Sequence, residues 1–424
     1  MDTFPLKLFR WGNGFEAILI HNPISPVVAY LTQYTVGSAQ EQPGQQGLAH
    51  FFEHMMFRET ETLGDGDFDR IVAQSGGVGL NAFTSYDTTA YHVNVPAAQL
   101  ERIVTIESDR MVNLRLSEEL IDRERGAVLG EMNMYKDMPS EQLWNTLMAS
   151  AFAAHPYRHP IIGYTEQVEG FQVPDFEAFY NAHYAPNRAI VVIAGGFDES
   201  EVLELLDGAY GALEPGQARP PDAEPDPPPK ASKRVEIFHD KISAEFLTLA
   251  YPTPGITHAD IPGLQLISAL LSAGHSAPLY RALVLEGLAT HVSTSLLDVD
   301  WMLSSPGLFL MEVGLQHEVS CERAEAAIDG VLKGFRRDGI PPQEFERALN
   351  LQRLAHYSSL RANMSLARYV GGFAVAQADP LFGEKLNAAV ERVTPDQTMD
   401  LLDRYLVQAP RVVLMQRPGK QEAA

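Results

Sequence analysis

Two histidines and a glutamate stand close together in the segment His50-Phe51-Phe52-Glu53-His54. On a helix, His50 and His54 lie one turn apart on the same side, so both imidazoles can bind one metal ion. Glu53 lies beside them and can act as a general base toward water. The pattern H-x-x-E-H is the inverzincin signature, the inverse of the more common H-E-x-x-H zinc motif. The segment therefore predicts a zinc site that hydrolyses peptide bonds.

A zinc peptidase needs three protein ligands and an open position for water, so a third ligand must come from elsewhere in the chain. Glu53 is too close in sequence to both histidines to be the best choice. The best candidate is Glu131, on a predicted helix over residues 118–136 with Ser117 as its N-cap. Glu124 lies two turns earlier on the same face and could orient the metal ligands. The alternative is a solvated acidic helix face that binds no metal.

The predicted helix that carries the motif, over residues 47–57, is apolar on nearly all sides. Such a helix should be buried in a hydrophobic core. Buried imidazoles and carboxylates are costly unless a metal or another polar group satisfies them. Burial therefore favours a metal site over a chance match to the motif.

The chain of 424 residues is longer than one hydrophobic core usually supports, which favours two domains. Seven prolines between Glu214 and Lys230 disfavour helix and central strand there, and they predict an extended linker over residues 215–230. The linker separates an N-terminal peptidase domain, 1–214, which bears the metal motif, from a C-terminal peptidase-like domain, 231–424, which lacks it.

Both domains begin with a predicted strand, a turn, a second strand and then a helix. The paired segments are 15–21, 27–34 and 47–57 in the first domain, and 234–238, 245–251 and 262–273 in the second. Further strands are predicted at 88–95 and 188–194, and further helices at 98–110, 118–136 and 343–360. We therefore predict an α+β fold of two similar α/β domains, each a mostly antiparallel sheet packed with helices, related by internal duplication.

The formal net charge of −23 disfavours nonspecific binding to nucleic acid or to an anionic membrane. It would attract a basic peptide, unless it serves only to keep the protein soluble. The single cysteine, Cys321, excludes an intramolecular disulfide and a cysteine zinc site. The N-terminus lacks an apolar region typical of a signal peptide, so we expect a cytoplasmic protein, or a periplasmic one if a signal peptide was removed.

These features resemble the M16 family of metallopeptidases, which includes the insulin-degrading enzyme, pitrilysin and the mitochondrial processing peptidase. Over nearly its whole length the chain resembles the mitochondrial processing peptidase beta subunit and bacterial M16B peptidases. In that family the third ligand is a glutamate about 76 residues beyond the motif, and 76 residues separate His54 from Glu131. The resemblance implies Zn²⁺ bound by His50, His54 and Glu131. It implies Glu53 as the catalytic base and Glu124 as the residue that orients the ligands.

The segment Asn81-Ala82-Phe83 also resembles the family, in which it belongs to an edge strand that pairs with the substrate backbone. The resemblance implies that these three residues contact the substrate. Strand addition uses main-chain hydrogen bonds, so it accepts varied side chains.

One segment departs from the family pattern. Many relatives that cleave unaided have an Arg and a Tyr in the C-terminal half, where this chain has Val284 and Thr290. Valine cannot donate a hydrogen bond, and the threonine hydroxyl is too short to replace a phenol. The resemblance therefore implies a heterodimer in which a similar partner subunit supplies the missing pair. Arg281 or His291 could substitute instead, which leaves a self-sufficient homodimer as the alternative.

The sequence thus predicts a zinc-dependent endopeptidase subunit that hydrolyses short or unfolded peptides, with no nucleic-acid or membrane partner. One alternative is a dedicated maturation protease for a single small peptide precursor. Another is a non-catalytic assembly subunit, which would have no need of Glu53. The sequence does not distinguish the general endopeptidase from the dedicated maturation protease.

Overall fold

The computed structural model describes residues 5–218, 223–227, 229–305 and 307–419. Its strands are β1 (Leu6–Arg10), β2 (Glu16–His21), β3 (Val27–Tyr34), β4 (Val78–Thr84), β5 (Thr89–Pro96), β6 (Ala189–Gly195), β7 (Lys233–His239), β8 (Phe246–Pro252), β9 (Ala289–Leu296), β10 (Leu308–Leu315) and β11 (Val412–Pro418). Its α-helices are α1 (Leu48–Met55), α2 (Asp67–Gln74), α3 (Leu100–Val112), α4 (Glu118–Lys136), α5 (Pro139–Ala151), α6 (Thr165–Gly170), α7 (Val173–His183), α8 (Glu199–Tyr210), α9 (Ile261–Ser272), α10 (Leu297–Asp300), α11 (Cys321–Asp338), α12 (Pro342–Ser359), α13 (Asn363–Gln377), α14 (Phe382–Val390) and α15 (Pro395–Leu402).

The structure confirms the predicted strands and helices. Their observed ends differ from the predicted ends by two residues or fewer. The helix predicted over 118–136 is α4, and the Leu120 amide donates to Ser117 Oγ at 3.4 Å, as expected for an N-cap. In the proline-rich segment the described residues form no helix or strand. Residues 219–222 and 228 of the predicted linker lie outside the described residues.

Two sheets carry the fold, and their topologies correspond strand for strand. The first has the order β1-β2-β6-β3-β5-β4, and the second has the order β7-β11-β8-β10-β9. In each sheet one pair is parallel, β2 with β6 and β7 with β11, and the other pairs are antiparallel. Without β1, each sheet has five strands. Numbered along the chain within each half, these strands occupy equivalent positions in the two sheets. The predicted mixed fold with internal duplication is therefore confirmed.

The chain forms two compact units that differ from the predicted domains 1–214 and 231–424. Unit 1 comprises Met1–Met134, His159–Asp222 and Ser359–Gly383, and unit 2 comprises Tyr135–Arg158, Ala223–Ser358 and Glu384–Ala424. Helix α5, from the first half of the chain, therefore belongs to unit 2. Helix α13, from the second half, belongs to unit 1.

The exchange of α5 and α13 follows from the need to cover both faces of each sheet. In unit 1, helices including α1 and α3 pack on one face of the sheet. The other face has its own apolar cluster, in which Ile18, Leu31 and Val192 pack with Ala367 and Val370 of α13. Helical periodicity shows that a helix has an apolar face, but it does not show which sheet that face covers. Among the described residues, no helix has both the length and the apolar character needed to cross a bilayer.

Candidate metal centre

The start of α1 is held by backbone and carboxylate contacts. Gly47 precedes α1 with a φ of 99°, and its Cα packs against Gly163, which has a φ of 80°. The buried carboxylate of Glu41 accepts hydrogen bonds from the amides of Gly47, at 3.0 Å, and Ala49, at 2.8 Å. These amides have no partner within the helix, so Glu41 caps it. Burial nevertheless raises the pKa of Glu41 well above its ordinary value.

Aromatic side chains fix the orientation of α1 in the core of unit 1. Phe51 and Phe52 are fully buried. The Phe51 ring lies 4.8 Å from that of Phe176, and the Phe52 ring lies 4.6 Å from that of Tyr184. The apolar residues of the motif are therefore packing residues, which leave the histidines and Glu53 on the remaining side of the helix.

The three predicted metal ligands come together in the structure. His50 Nε2 lies 3.7 Å and His54 Nε2 lies 3.4 Å from Glu131 Oε2. One potential ligand atom from each residue lies within 4.8 Å of the other two. Two imidazoles and one carboxylate form the donor set of many catalytic zinc sites. The arrangement therefore fits a zinc ion.

Glu124 lies beside His54, and the structure adds a residue that the sequence had not indicated. Glu124 Oε2 is 3.5 Å from His54 Nδ1, and Glu124 Oε1 is 2.6 Å from Arg58 Nη2. The Glu124 side chain is only 3% exposed. Arg58 in turn lies 3.5 Å from Asp65, which also pairs with Arg123 at 2.7 Å. A chain of ion pairs thus orients the His54 ring, an arrangement common behind zinc-binding histidines.

The two histidines differ in their electrostatic surroundings. Burial, together with the neighbouring His54, lowers the pKa of His50 to about 4, so His50 is neutral at neutral pH. Burial also disfavours charge on His54, but hydrogen bonds to Glu124 and Glu131 outweigh it and raise the pKa of His54 to about 9. The site therefore combines a neutral imidazole with one that two carboxylates stabilise in its cationic form. Such negative surroundings favour a cation at the cluster.

Glu53 lies next to the cluster and is held by a hydrogen bond from Thr84. The Thr84 hydroxyl donates to Glu53 Oε2 at 2.6 Å. Burial raises the pKa of Glu53 to about 6, and the bond from Thr84 only partly offsets this effect. A carboxylate with a pKa near neutrality is suited to both accept and donate a proton. Sequence patterns did not reveal the role of Thr84.

Thr84 ends β4, one of the two edge strands of the sheet in unit 1. The predicted contact residues Asn81, Ala82 and Phe83 lie on this strand. Ala82 packs against the core beneath α1, whereas Phe83 packs with the cluster on the opposite face. One edge of β4 has no neighbouring strand among the described residues. The expected edge position is therefore confirmed.

The residues that depart from the family pattern lie in unit 2. Val284 is in a short π-helical turn, Tyr280–Leu285, and Thr290 is near the start of β9, the edge strand of the second sheet. The Thr290 hydroxyl lies 3.0 Å from the carbonyl oxygen of Gly314. Arg281, one possible substitute, is 3.0 Å from Glu344.

The duplicated fold and the His-His-Glu cluster define the class of protein, that of zinc metallopeptidases and their relatives. Two family models match the chain: "Insulinase (Peptidase family M16)" at residues 16–165 and "Peptidase M16 inactive domain" at residues 170–352. The chain belongs to the M16 peptidase family. Its homologues are named zinc proteases, so Zn²⁺ is the cofactor that the comparison supports.

Two relatives show the extent of the sequence similarity. The zinc protease PqqE of Helicobacter pylori is 28% identical over 337 residues, which are 79% of this chain and 75% of that protein. The beta subunit of the mitochondrial-processing peptidase of Rattus norvegicus is 26% identical over 380 residues, 87% of this chain and 76% of that protein.

Solved structures agree with the fold. The crystal structure of a protease from Helicobacter pylori matches with a TM-score of 0.90 at 24% identity, over 98% of this chain and 100% of that one. Pitrilysin matches with a TM-score of 0.82 at 19% identity, over 100% of this chain but only 46% of the pitrilysin chain. This chain thus corresponds to about half of pitrilysin.

Proposed function

We propose that the protein is a zinc-dependent endopeptidase subunit that hydrolyses short or unfolded peptides. The observation that carries this proposal is the convergence of His50, His54 and Glu131, with ligand atoms within 4.8 Å of one another, beside the buried Glu53. An assembly subunit without catalytic activity would have no need of a buried carboxylate next to a metal site.

His50 Nε2, His54 Nε2 and Glu131 Oε2 would hold the zinc ion. When bound, zinc lowers the pKa of water and polarises a peptide carbonyl. Glu53 would take a proton from water and later deliver it to the leaving amine. The hydrogen bond from Thr84 to Oε2 would hold the Glu53 carboxylate in place for this role. Glu124, anchored by Arg58, keeps the His54 ring in the orientation that binds metal.

The substrate would bind as an extra strand along the free edge of β4. Asn81, Ala82 and Phe83 would offer main-chain donors and acceptors, which select an extended backbone more than a particular side chain. A folded protein rarely presents an unpaired segment of this kind, because its backbone groups are already paired. The proposed substrates are therefore short peptides or unfolded segments.

The test of this proposal is the variant Glu53→Gln, compared with Glu61→Gln on the exposed loop after α1. Glu53→Gln should bind zinc as the wild type does, because the three ligands remain. Its cleavage of quenched fluorescent peptides should fall roughly 10²–10⁴-fold, the usual contribution of a general base. Zinc content is measured by elemental analysis, and Glu61→Gln should behave as the wild type. Ordinary cleavage by Glu53→Gln would remove Glu53 from the mechanism.

We further propose that a similar second subunit completes the active site. Val284 and Thr290 stand where the resemblance expects an Arg and a Tyr, and neither can make the same contacts. The relative from Rattus norvegicus is itself named a subunit, and the chain spans less than half of pitrilysin. Both facts support a paired enzyme. A homodimer that uses Arg281 or His291 is the alternative.

A further inference from the structure

Helix α13 places a single charged residue on the face of the first sheet opposite α1. Arg368 is the only charged side chain in α13, and its neighbours β4 and β5 contain no Lys, Arg, Asp or Glu. His92 on β5 contacts Arg368, and its pKa falls to about 4 because of burial and the nearby Arg368. His92 is therefore neutral at neutral pH, and Arg368 carries the charge where α13 meets β4 and β5.

The guanidinium of Arg368 lies directly at the edge of the sheet. Its Cζ is 5.3 Å from the centroid of the Phe83 ring on β4, and its Nη2 contacts His92 Nε2 on β5. Arg368 Nε is buried and has no hydrogen-bond partner among the described residues. Burial lowers the pKa of Arg368, yet an arginine remains protonated in proteins.

Contacts at Asn363 and at Gly371 fix the position of α13, the helix that carries Arg368. Asn363 Nδ2 donates to Ser25 Oγ at 3.0 Å and to the carbonyl oxygen of Val27 at 3.1 Å. Eight residues later, any side chain at Gly371 would overlap Gln33 of β3. These contacts place the Arg368 backbone beside the sheet.

Two other arginines of unit 1 that are partly or fully buried have a carboxylate partner, which Arg368 lacks among the described residues. Arg110 lies 2.6 Å from Glu107, and Arg58 lies 2.6 Å from Glu124. A desolvated cation without a counter-charge is unfavourable and attracts an anionic group. The contact with Phe83 offsets only part of this cost. A ligand that brings a carboxylate to this face would supply the missing partner.

The alternation of side chains along a strand shows where such a carboxylate would come from. Thr84 and Ala82 point to the α1 face, where Thr84 contacts Glu53. Phe83 points to the α13 face. A peptide strand paired with β4 would also direct every second side chain to the α13 face. Side chains directly opposite each other in such a pair have Cβ atoms about 4.5–5.5 Å apart, so Asp or Glu could reach the guanidinium.

We propose that Arg368 is a specificity-determining residue that selects peptides with an acidic side chain at the substrate positions directed to the α13 face. The proposal rests on the proposed function, because it requires the substrate to pair with β4. It assigns the substrate class more narrowly: extended peptides with Asp or Glu at alternating positions. The net negative charge of the protein does not favour acidic peptides, so it is not the source of this preference.

The experiment uses sets of peptides that differ only by Glu or Gln at one position, scanned along the sequence. Cleavage is measured as kcat/KM with the wild-type protein, together with any partner it requires, and with Arg368→Gln. Binding is measured by fluorescence anisotropy with Glu53→Gln alone and combined with Arg368→Gln. The control is Arg102→Gln, an exposed arginine on α3, which changes the net charge by the same amount.

We expect the wild type to favour Glu over Gln by about fivefold at alternating positions only, as a partly exposed ion pair would produce. Arg368→Gln should bring this ratio to about one, Arg368→Glu should invert it, and Arg102→Gln should retain it. A ratio that Arg368→Gln leaves unchanged would overturn the proposal and assign Arg368 a packing role. If the Glu peptide binds better through Arg368 but no peptide is cleaved, the specificity proposal stands and the proposed enzymatic function fails.

Discussion

Arg58 is the residue that connects the metal cluster to the rest of unit 1. It lies four residues after His54, holds one oxygen of Glu124 at 2.6 Å, and leaves the other oxygen for His54 Nδ1. Neither its position nor its type belongs to the metal motif. It would act on a bound metal ion only through Glu124 and His54, which would make it a positioning residue.

We expect Arg58→Met to weaken zinc binding by about 10–100-fold, the usual effect of losing a contact behind a metal ligand. Glu124 would then be a nearly buried carboxylate without its arginine, free to turn away from His54. Zinc affinity is measured by competition with a chelator of known affinity. The matched control is Arg70→Met, which removes an arginine that is 55% exposed and pairs with Asp67. Equal zinc affinity in the wild type and Arg58→Met would mean that Glu124 needs no such anchor.

A second residue, Asp298 of unit 2, contributes to stability in a way that depends on pH. Asp298 is fully buried, and neither carboxylate oxygen has a side-chain hydrogen-bond partner among the described residues. Burial raises the pKa of Asp298 to about 7. Between about pH 4 and pH 7 the folded protein therefore keeps a proton that the unfolded chain has lost, so stability falls as pH rises through this window.

We expect Asp298→Asn to increase the free energy of unfolding at pH 8 by up to about 4 kcal/mol, the equivalent of a shift of about three units. At about pH 3 the variant and the wild type should be nearly equal, because Asp298 is then mostly protonated in both states. Urea denaturation at the two pH values measures the difference. Asp240→Asn, in an exposed turn, is the control and should change neither value. A variant that is less stable at pH 8 would indicate an unseen partner for the carboxylate.

Among the elements, α1 depends most on close backbone packing at its start. Gly47 and Gly163 both have positive φ, and a side chain on either would overlap the backbone of the segment opposite. The loop before α6 therefore presses directly on the first turn of the helix that bears the histidines. The requirement for glycine comes from a contact between segments more than a hundred residues apart in sequence.

We expect Gly163→Ala to destabilise the protein by about 2–4 kcal/mol, because it adds both a backbone clash and an unfavourable φ. The displaced helix should also bind zinc less tightly. Gly126→Ala in α4 is the matched control, since a Cβ there meets nothing within 4 Å. This control should be neutral or stabilising by up to about 1 kcal/mol. Thermal denaturation and zinc titration of both variants provide the comparison, and equal stability of the two would contradict this packing argument.

For the molecule as a whole, the duplication matters because only the first copy carries the metal residues. The second copy has kept the sheet order but has no histidine or glutamate in α9, the helix that corresponds to α1. It also has Val284 and Thr290 in the segment that resembles a substrate-binding region. The metal cluster is complete within unit 1, whereas this region of unit 2 lacks the expected donors.

We expect the purified chain to bind zinc but to cleave peptides poorly without a similar partner subunit. The double variant Val284→Arg, Thr290→Tyr should raise unaided cleavage, because it restores the two donors that the partner would supply. Native mass and peptidase activity are measured for the wild type, the double variant and the wild type with a candidate partner. Full activity of a wild-type homodimer would instead support Arg281 or His291 as substitutes.

The sequence by itself determined the motif, the third ligand candidate and most of the elements. These features depend on local spacing: His50 and His54 share a helix face because they are four residues apart, and α4 follows from its own periodicity and cap. The spacing from His54 to Glu131 became informative only through the resemblance to a family whose third ligand lies at this spacing.

The tertiary structure alone decided how distant segments meet. It brought Glu131 to 3.4 Å from His54, Arg58 to Glu124 and Thr84 to Glu53. It also decided that α5 and α13 each join the unit built mainly from the other half of the chain. Local patterns show which faces are apolar, but many pairings of such faces are compatible with one sequence pattern. Only the packing of the whole chain selects among them.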